Sequence, residues 1–381
     1  MKIELSDEQK LLRDTVRRFA EEVAKPRAKE IDESGEFPRA FFDQAGELGL
    51  AGVAVPEEYG GAGMDTISYC LIIEEISRVC ATSGVILSVN NSLVCDPLLK
   101  FGTEEQKQEF LTPLAAGQKL GCFALTEPGA GSDPSGLRAT ARRDGDDYVL
   151  NGNKVFITNG TDADIALVFA SVDLEKKHKG ITCFIVPADA PGYHHGTHEF
   201  KLGVNASGTT ELSFDDLRIP ARYRLGEEGD GFKVAMATLD GGRIGIAAQA
   251  VGIAQGAFEE ALAYSQQREQ FNQKLADFQA IQFYLADMAT EIDAGRLLTW
   301  KAAWAKENQR RYSLEAAQAK LFASEMAQRV TNKALQIHGG YGYTKEYNVE
   351  RYFRDARITE IYEGTSEIQK MVIADWVLNK A

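Results

Sequence analysis

The chain has 381 residues and a formal net charge of −14. That length allows two or three domains with substantial cores, and that sign argues against a nucleic-acid surface. The opening Met1-Lys2-Ile3-Glu4-Leu5-Ser6-Asp7-Glu8 lacks the apolar core of a secretory signal, and no stretch reaches the ~18 uninterrupted apolar residues of a membrane span. The five cysteines, at 70, 80, 95, 122 and 183, form no Cys-x-x-Cys pair, which predicts reduced thiols in a cytoplasmic protein.

Ser6-Asp7-Glu8-Gln9 has the form of a capping box, and Leu11, Leu12, Val16, Phe19 and Val23 follow at helical spacing until Pro26 disturbs or ends the run. Phe41 to Leu50 reads as a second helix, stopped by Gly52 and the loop from Pro56 to Gly61. Asp65 to Leu99 is apolar and largely helical, with an interruption expected near Ser83-Gly84. Thr103-Glu104-Glu105-Gln106 caps another helix, so residues 1–118 are predicted to be a helical domain. From Gly121 the pattern changes. Tyr148 to Thr158 reads as strand, Asn151-Gly152 turn, strand, and short β-rich runs recur at 165–172, 181–186 and 209–214 before Pro220. With little helix between them, these predict an antiparallel barrel or sandwich over 119–225 and no dinucleotide-binding α/β sheet. Helical periodicity returns at 233–267, 276–307 and 314–337, with turns at Gln270-Phe271-Asn272 and His338-Gly339-Gly340-Tyr341-Gly342 and a last helix at 366–378. Residues 226–381 are thus a second helical domain, and the class is α+β. No internal repeat or low-complexity tract is present.

Several stretches carry chemistry. Glu363 lies between the apolar pair Ile361-Tyr362 and Gly364, and Thr365-Ser366 with Gln369 fits a helix cap. A carboxylate at such a bend, beside apolar neighbours, gains the raised pKa that suits a general base. On composition alone a solvated loop glutamate is the commoner reading. In Phe123 to Asp133 a glycine-rich loop lets backbone N–H groups approach an anion or ring edge, although surface turns often look alike. Lys154 to Gly160 also reads as an ordinary alternating strand with Phe156 in the core. Asp240 and Arg243 can share a helix face as a surface ion pair. His194, His195 and His198 invite a metal reading, but a polar loop suits them better, since metal sites need a converging ligand set.

Arg354-Asp355-Ala356-Arg357 followed by Ile361-Tyr362-Glu363-Gly364-Thr365-Ser366 closely resembles the catalytic segment of the acyl-CoA dehydrogenases, and the helical, β, helical plan matches theirs from end to end. The resemblance implies that Glu363 removes the substrate α-proton while the β-hydride passes to N5 of FAD. It places Phe123, Leu125, Thr126 and Gly131 along the flavin, and Ser132 near both flavin and the CoA arm. It has Phe156 stack on the ring and Thr158 bond N5, with Thr365 and Glu367 as further flavin contacts. Asp240, Arg243, Tyr362 and Gly364 would meet the acyl-CoA. Arg268, Phe271 and Gln279, with Gln336, Ile337, Gly339 and Gly340, would reach the FAD of a neighbouring subunit in a homotetramer built as a dimer of dimers. No metal is implied. Leu239 to Gly245 and Arg296 to Trp300 are most similar to the short-chain members. The expected activity is therefore butyryl-CoA-like dehydrogenation in β-oxidation, with electrons passing to an electron-transferring flavoprotein. A branched-chain, cyclic or aromatic acyl-CoA dehydrogenase is the nearest alternative. An oxidase of the same scaffold is usually much longer, and a glutaryl-type enzyme should carry a cation where Thr82 to Ser88 has none. A non-catalytic acyl-CoA-binding protein is a further alternative. The chain departs from the family pattern at Asn272-Gln273-Lys274 and at Asn205, where many relatives carry Arg or His.

Overall fold

Three packed parts arise from the changes of periodicity, as seen in a computed structural model that describes residues 4–309 and 311–379. Met1, Lys2 and Ile3, which belong to the leader reading and the first expected domain, and Lys380 and Ala381, at the end of the third, lie outside the described residues. Among those residues no helix is long and apolar enough to cross a membrane.

The first part is helical. Ser6 caps α1 (Asp7–Phe19) in a reciprocal capping box with Gln9, and Pro26 falls in a single turn of 3-10 helix between α1 and α2 (Ala28–Ser34). The second predicted helix is shorter than expected: α3 (Arg39–Glu47) ends before Gly49, whose φ of 73° only glycine adopts without strain. The break in the long apolar stretch also differs. It falls at Arg78–Cys80, between α4 (Thr66–Ser77) and α5 (Ala81–Ser88), so Ser83-Gly84 lies inside a helix. Gly84 is there for packing, since a Cβ on it would sit 2.0 Å from Ser77 Oγ. Then come α6 (Asp96–Phe101), α7 (Glu104–Gln106) with the predicted cap at Thr103, and α8 (Thr112–Ala115).

The middle part is one sheet of eight strands: β1 (Gly121–Ala124), β2 (Thr140–Asp144), β3 (Asp147–Ile157), β4 (Ile165–Ser171), β5 (Ile181–Pro187), β6 (Tyr193–His195), β7 (Thr210–Pro220) and β8 (Arg224–Leu225). Their order is β6-β7-β3-β2-β4-β5-β8, with β1 on β4. The β1–β4 and β2–β4 pairs are parallel and the others antiparallel, so the sheet is mixed where a purely antiparallel one was expected. Asn151-Gly152 is not a turn. β3 runs straight through it with a register shift against β7, and Gly152 (φ 139°) lies so near Ala139 that a Cβ would come within 2.7 Å of it. The hairpin turn is at Gly145 instead, with φ 64°. On β4, Ile165, Leu167 and Phe169 pack against Leu98, Phe110, Leu111 and Val234 of the helical parts. Ala166, Val168 and Ala170 face the sheet's own core with Tyr148, Leu150 and Phe214. Burial of both faces is why β4 reads as a continuous apolar run.

The third part comprises α9 (Gly231–Gln267), α10 (Gln279–Asn308), α11 (Ser313–His338), α12 (Val349–Ile358) and α13 (Ser366–Asn379). α12 escaped the sequence reading. Between α9 and α10 a hairpin of β9 (Glu269–Gln270) and β10 (Gln273–Lys274) turns through Phe271 and Asn272, both left-handed at φ 54° and 63°. Two successive positive-φ residues make a tight hairpin turn, so the departure from the family wording still closes its loop. Ala-rich faces of α9 and α11 pack closely together, which places the start of α11 beside the loop that follows α12.

Candidate active site

Glu363 sits in the reversal between α12 and α13. Its φ is 52° and that of Gly364 is 93°, so a bulky residue is held in backbone space that it enters only under constraint. Three side-chain bonds supply part of that constraint. Lys320 Nζ donates to Gly364 O at 2.7 Å, and Gln369 Nε2 donates to Gly364 O at 2.9 Å and to Glu363 O at 3.3 Å. The predicted cap is therefore arranged differently. Ser366 is the first residue of α13, Thr365 Oγ1 accepts from Ile368 N at 3.4 Å, Ser366 Oγ makes no hydrogen bond, and Gln369 serves the bend rather than a capping box.

The Glu363 carboxylate lies over Gly242 of α9, where a Cβ would come within 2.0 Å of Oε2. Glycine at 242 is what makes room for it. Oε2 is shielded and has no hydrogen-bond partner. Burial pushes the Glu363 pKa up to about 8, against the pull of Lys320 and Arg243. The solvated-loop alternative is thus excluded. Close by, Val85, Val89 and Leu93 form a small apolar cluster with Phe123 and Tyr362 packed on it, and the Tyr362 hydroxyl bonds Gln249 Oε1.

Asp240 and Arg243 come to the same place, and theirs is not a surface pair. Arg243 is only 6% exposed and its Nη1 donates to Asp240 Oδ1 at 2.7 Å, while Asp240 Oδ2 accepts from Ser313 Oγ at 2.5 Å. Burial raises the Asp240 pKa, and Arg243 Nε makes no hydrogen bond. Lys320, at the same site, carried no sequence signal beyond its place on the predicted 314–337 helix.

The two proposed flavin segments are joined. Val155 N donates to Thr126 O at 2.9 Å. Beneath them lies a buried pair that the sequence reading missed. Glu127 accepts from Arg138 N at 2.6 Å, Ala139 N at 3.0 Å and Lys154 Nζ at 2.7 Å, and Lys154 also reaches Leu125 O at 3.2 Å. The available signal was a lysine just ahead of the apolar run Val155-Phe156-Ile157 in a predicted strand. Leu125 is buried and Phe123, Thr126 and Thr158 are half-buried, whereas Gly131 and Ser132 are open to solvent. Phe156 is 68% exposed at φ 58°, which corrects its placement in the core. An exposed aromatic on constrained backbone, beside a loop whose Gly129 and Gly131 would meet nothing if given a Cβ, fits a broad flat ring system such as a flavin.

The remaining residues lie elsewhere. Arg268, Phe271 (88% exposed), Gln279, Gln336, Gly339 and Gly340 are solvent-exposed, and Ile337 is buried. Arg268 stands over the Tyr341 ring, 5.5 Å from its centroid. Gln336 is sixteen residues beyond Lys320 on α11, about 24 Å away at 1.5 Å per residue. Within one chain this group does not meet Glu363. Thr365 is half-buried and Glu367 exposed. Asn205 ties to Asp32 through Nδ2, at 2.9 Å to Oδ1 and 3.1 Å to the carbonyl. His198 Nε2 faces Lys201 Nζ at 3.0 Å, and among the described residues no group of three or more His, Cys, Asp or Glu could hold a metal.

Comparison with known proteins gives an ordered match. Models of the acyl-CoA dehydrogenase N-terminal, middle and C-terminal domains match residues 6–118, 122–217 and 229–378. The mitochondrial short-chain specific acyl-CoA dehydrogenase of Bos taurus is 53% identical over 376 residues, covering 99% of this chain and 91% of the relative. The short-chain specific acyl-CoA dehydrogenase of Clostridium acetobutylicum is 51% identical over 374 residues, covering 98% and 99%. The solved structure of butyryl-CoA dehydrogenase from Megasphaera elsdenii is similar at a TM-score of 0.98 and 47% identity, covering 100% of both chains.

Proposed function

The chain belongs to the acyl-CoA dehydrogenase family of FAD-dependent oxidoreductases, and on that premise we propose that it desaturates short acyl-CoA thioesters between Cα and Cβ. One observation carries the assignment of the base: Glu363 presents a shielded, unbonded carboxylate oxygen to a small apolar cluster, with two cations behind it. An α C–H is far too weak an acid for a carboxylate in water. In a dry site a base of raised pKa is a better match. Among the described residues the Glu363 N–H makes none of the bend's hydrogen bonds, so it is free to donate to a thioester carbonyl and stabilise the charge that develops there. Asp240 and Arg243 bind and orient the CoA arm, and Tyr362 and Gly364 line the acyl end. FAD, when bound, supplies the hydride acceptor, and Phe123, Leu125, Thr126, Phe156 and Thr158 would hold it. Electrons leave to an electron-transferring flavoprotein. We place the protein in the cytoplasm, which suits its five unpaired cysteines.

Short chains are favoured because Val85, Val89 and Leu93 fill the space beside Tyr362. Butyryl-CoA should bleach the bound flavin in the absence of oxygen and exceed octanoyl-CoA in kcat/KM by about tenfold or more. Val89→Ala should narrow that ratio by admitting longer chains. A colourless protein after FAD reconstitution would refute the activity. A medium-chain optimum, or activity confined to cyclic or aromatic thioesters, would refute the chain length alone.

The exposed group at Arg268 and Gln336–Gly340 supports a shared cofactor site in a homotetramer. A guanidinium suits a pyrophosphate, and these residues are remote from the ring segments of their own chain. Arg268→Ala should weaken FAD binding and lower oligomer stability together, since a ligand bridging subunits stabilises both by mass action. Light scattering beside flavin titration measures this. A wild-type monomer with full flavin would contradict it.

A further inference from the structure

Lys320 of α11 is fully buried. Lysines are rarely enclosed unless paired, because removing an ammonium from water is costly. Yet among the described residues Lys320 makes no salt bridge, and its hydrogen bond goes to a neutral group, the Gly364 carbonyl, at 2.7 Å. That carbonyl also accepts from Gln369 at 2.9 Å. Donors from α11 and α13 therefore close on the peptide that follows the base, where the left-handed backbone of Glu363 needs outside constraint. The charged groups facing Lys320 are Glu363 from the bend, Arg243 from α9 and Glu367 from α13. Those facing Glu363 are Lys320 and Arg243, with the neutral phenols of Tyr69 and Tyr362 alongside. Burial lowers the Lys320 pKa while Glu363 raises it, and Lys320 in turn lowers the Glu363 pKa against the effect of burial, so the two charges respond to each other.

We propose that Lys320 is a positioning residue for proton abstraction: its grip on the Gly364 carbonyl holds the bend that aims Glu363, and its positive charge favours the carboxylate form of the base. This rests on Glu363 acting as the base. The test is single-turnover bleaching of the FAD-loaded protein by butyryl-CoA across pH, with flavin content and thermal midpoint recorded for every variant. Lys320→Gln keeps a donor and removes the charge. Its pH midpoint should move upward by about one unit or more, with the plateau rate at high pH within a few-fold of wild type. Lys320→Met removes donor and charge. It should show the same shift and also lose about tenfold or more from the plateau, as expected for a base out of alignment. If Lys320→Met does not fold, Lys320→Gln decides through its midpoint, which a merely structural lysine would leave in place. An unmoved midpoint in Lys320→Gln, or a wild-type plateau in folded Lys320→Met, overturns the proposal. If the wild type is not bleached, or Glu363→Gln bleaches normally, the underlying reading has failed instead.

Discussion

Glu363→Gln retains FAD and binds butyryl-CoA, yet its flavin is not bleached: that is the expected result, with a loss at or beyond the ~10²–10⁴ typical of removing a general base. The amide keeps the shape of the side chain over Gly242 and removes only its basicity. Two pH readouts accompany the loss. In the wild type the bleaching rate rises as pH passes through about 8, the value to which burial raises Glu363; in Glu363→Gln that limb is absent. Stability changes in the opposite sense. The folded pKa lies above the ordinary glutamate value of 4.5, so the fold prefers the protonated acid. This contribution is fully present below the unfolded pKa and is lost as pH rises through the folded one. The variant should therefore gain thermal stability relative to wild type between roughly pH 4.5 and 8, and keep the gain above that. Near-normal reduction by butyryl-CoA would mean that another group is the base. Parallel melting curves across pH would mean that Glu363 is not held protonated.

What could be read in the sequence, and what could not, follows from how local each signal is. The capping boxes at Ser6 and Thr103 involve residues three apart and were legible as written. The wording around Glu363 carried the family. Its Arg354-Asp355, however, acts structurally. Asp355 accepts from Val204 N at 2.7 Å, and Arg354 clasps Glu350 and Asp32. Glycines were misread where their role is contact rather than conformation. Gly84 looked like a breaker and Gly152 like a turn, yet both mark places where another chain segment comes too close for a Cβ. The Ser366 capping box failed because Ser366 N already donates to Glu360 O at 3.0 Å, while the Gln369 amide donates into the strained bend. Lys320 and Lys154 were invisible for a related reason: a lysine reads as solvated until its partner, here forty-four or twenty-seven positions away, is in place.

The pair formed by the second of these lysines supports the other large effect. Lys154 is 0% exposed and Glu127 is 7% exposed, with 2.7 Å between their charged atoms. Burial lowers the Lys154 pKa and Glu127 counters it. Glu127 also accepts the N–H groups of Arg138 and Ala139, so it anchors the far end of the Gly129–Ser132 loop while Lys154 anchors the second segment to Leu125 O. Lys154→Met keeps the apolar stem and leaves the carboxylate enclosed without its cation, which should cost about 3–5 kcal/mol. Pairing that change with Glu127→Gln removes the orphaned charge and keeps an acceptor for a backbone N–H, so the double variant should recover part of the loss, with a coupling of about 0.5–3 kcal/mol. Denaturant unfolding of the FAD-free proteins measures this apart from any cofactor effect. FAD titration of the folded variants should then show weaker binding in Lys154→Met than in the double variant, because the loop and strand are no longer held in register. A Lys154→Met protein as stable as wild type, or strictly additive single and double variants, would show that the pair does not brace the two segments.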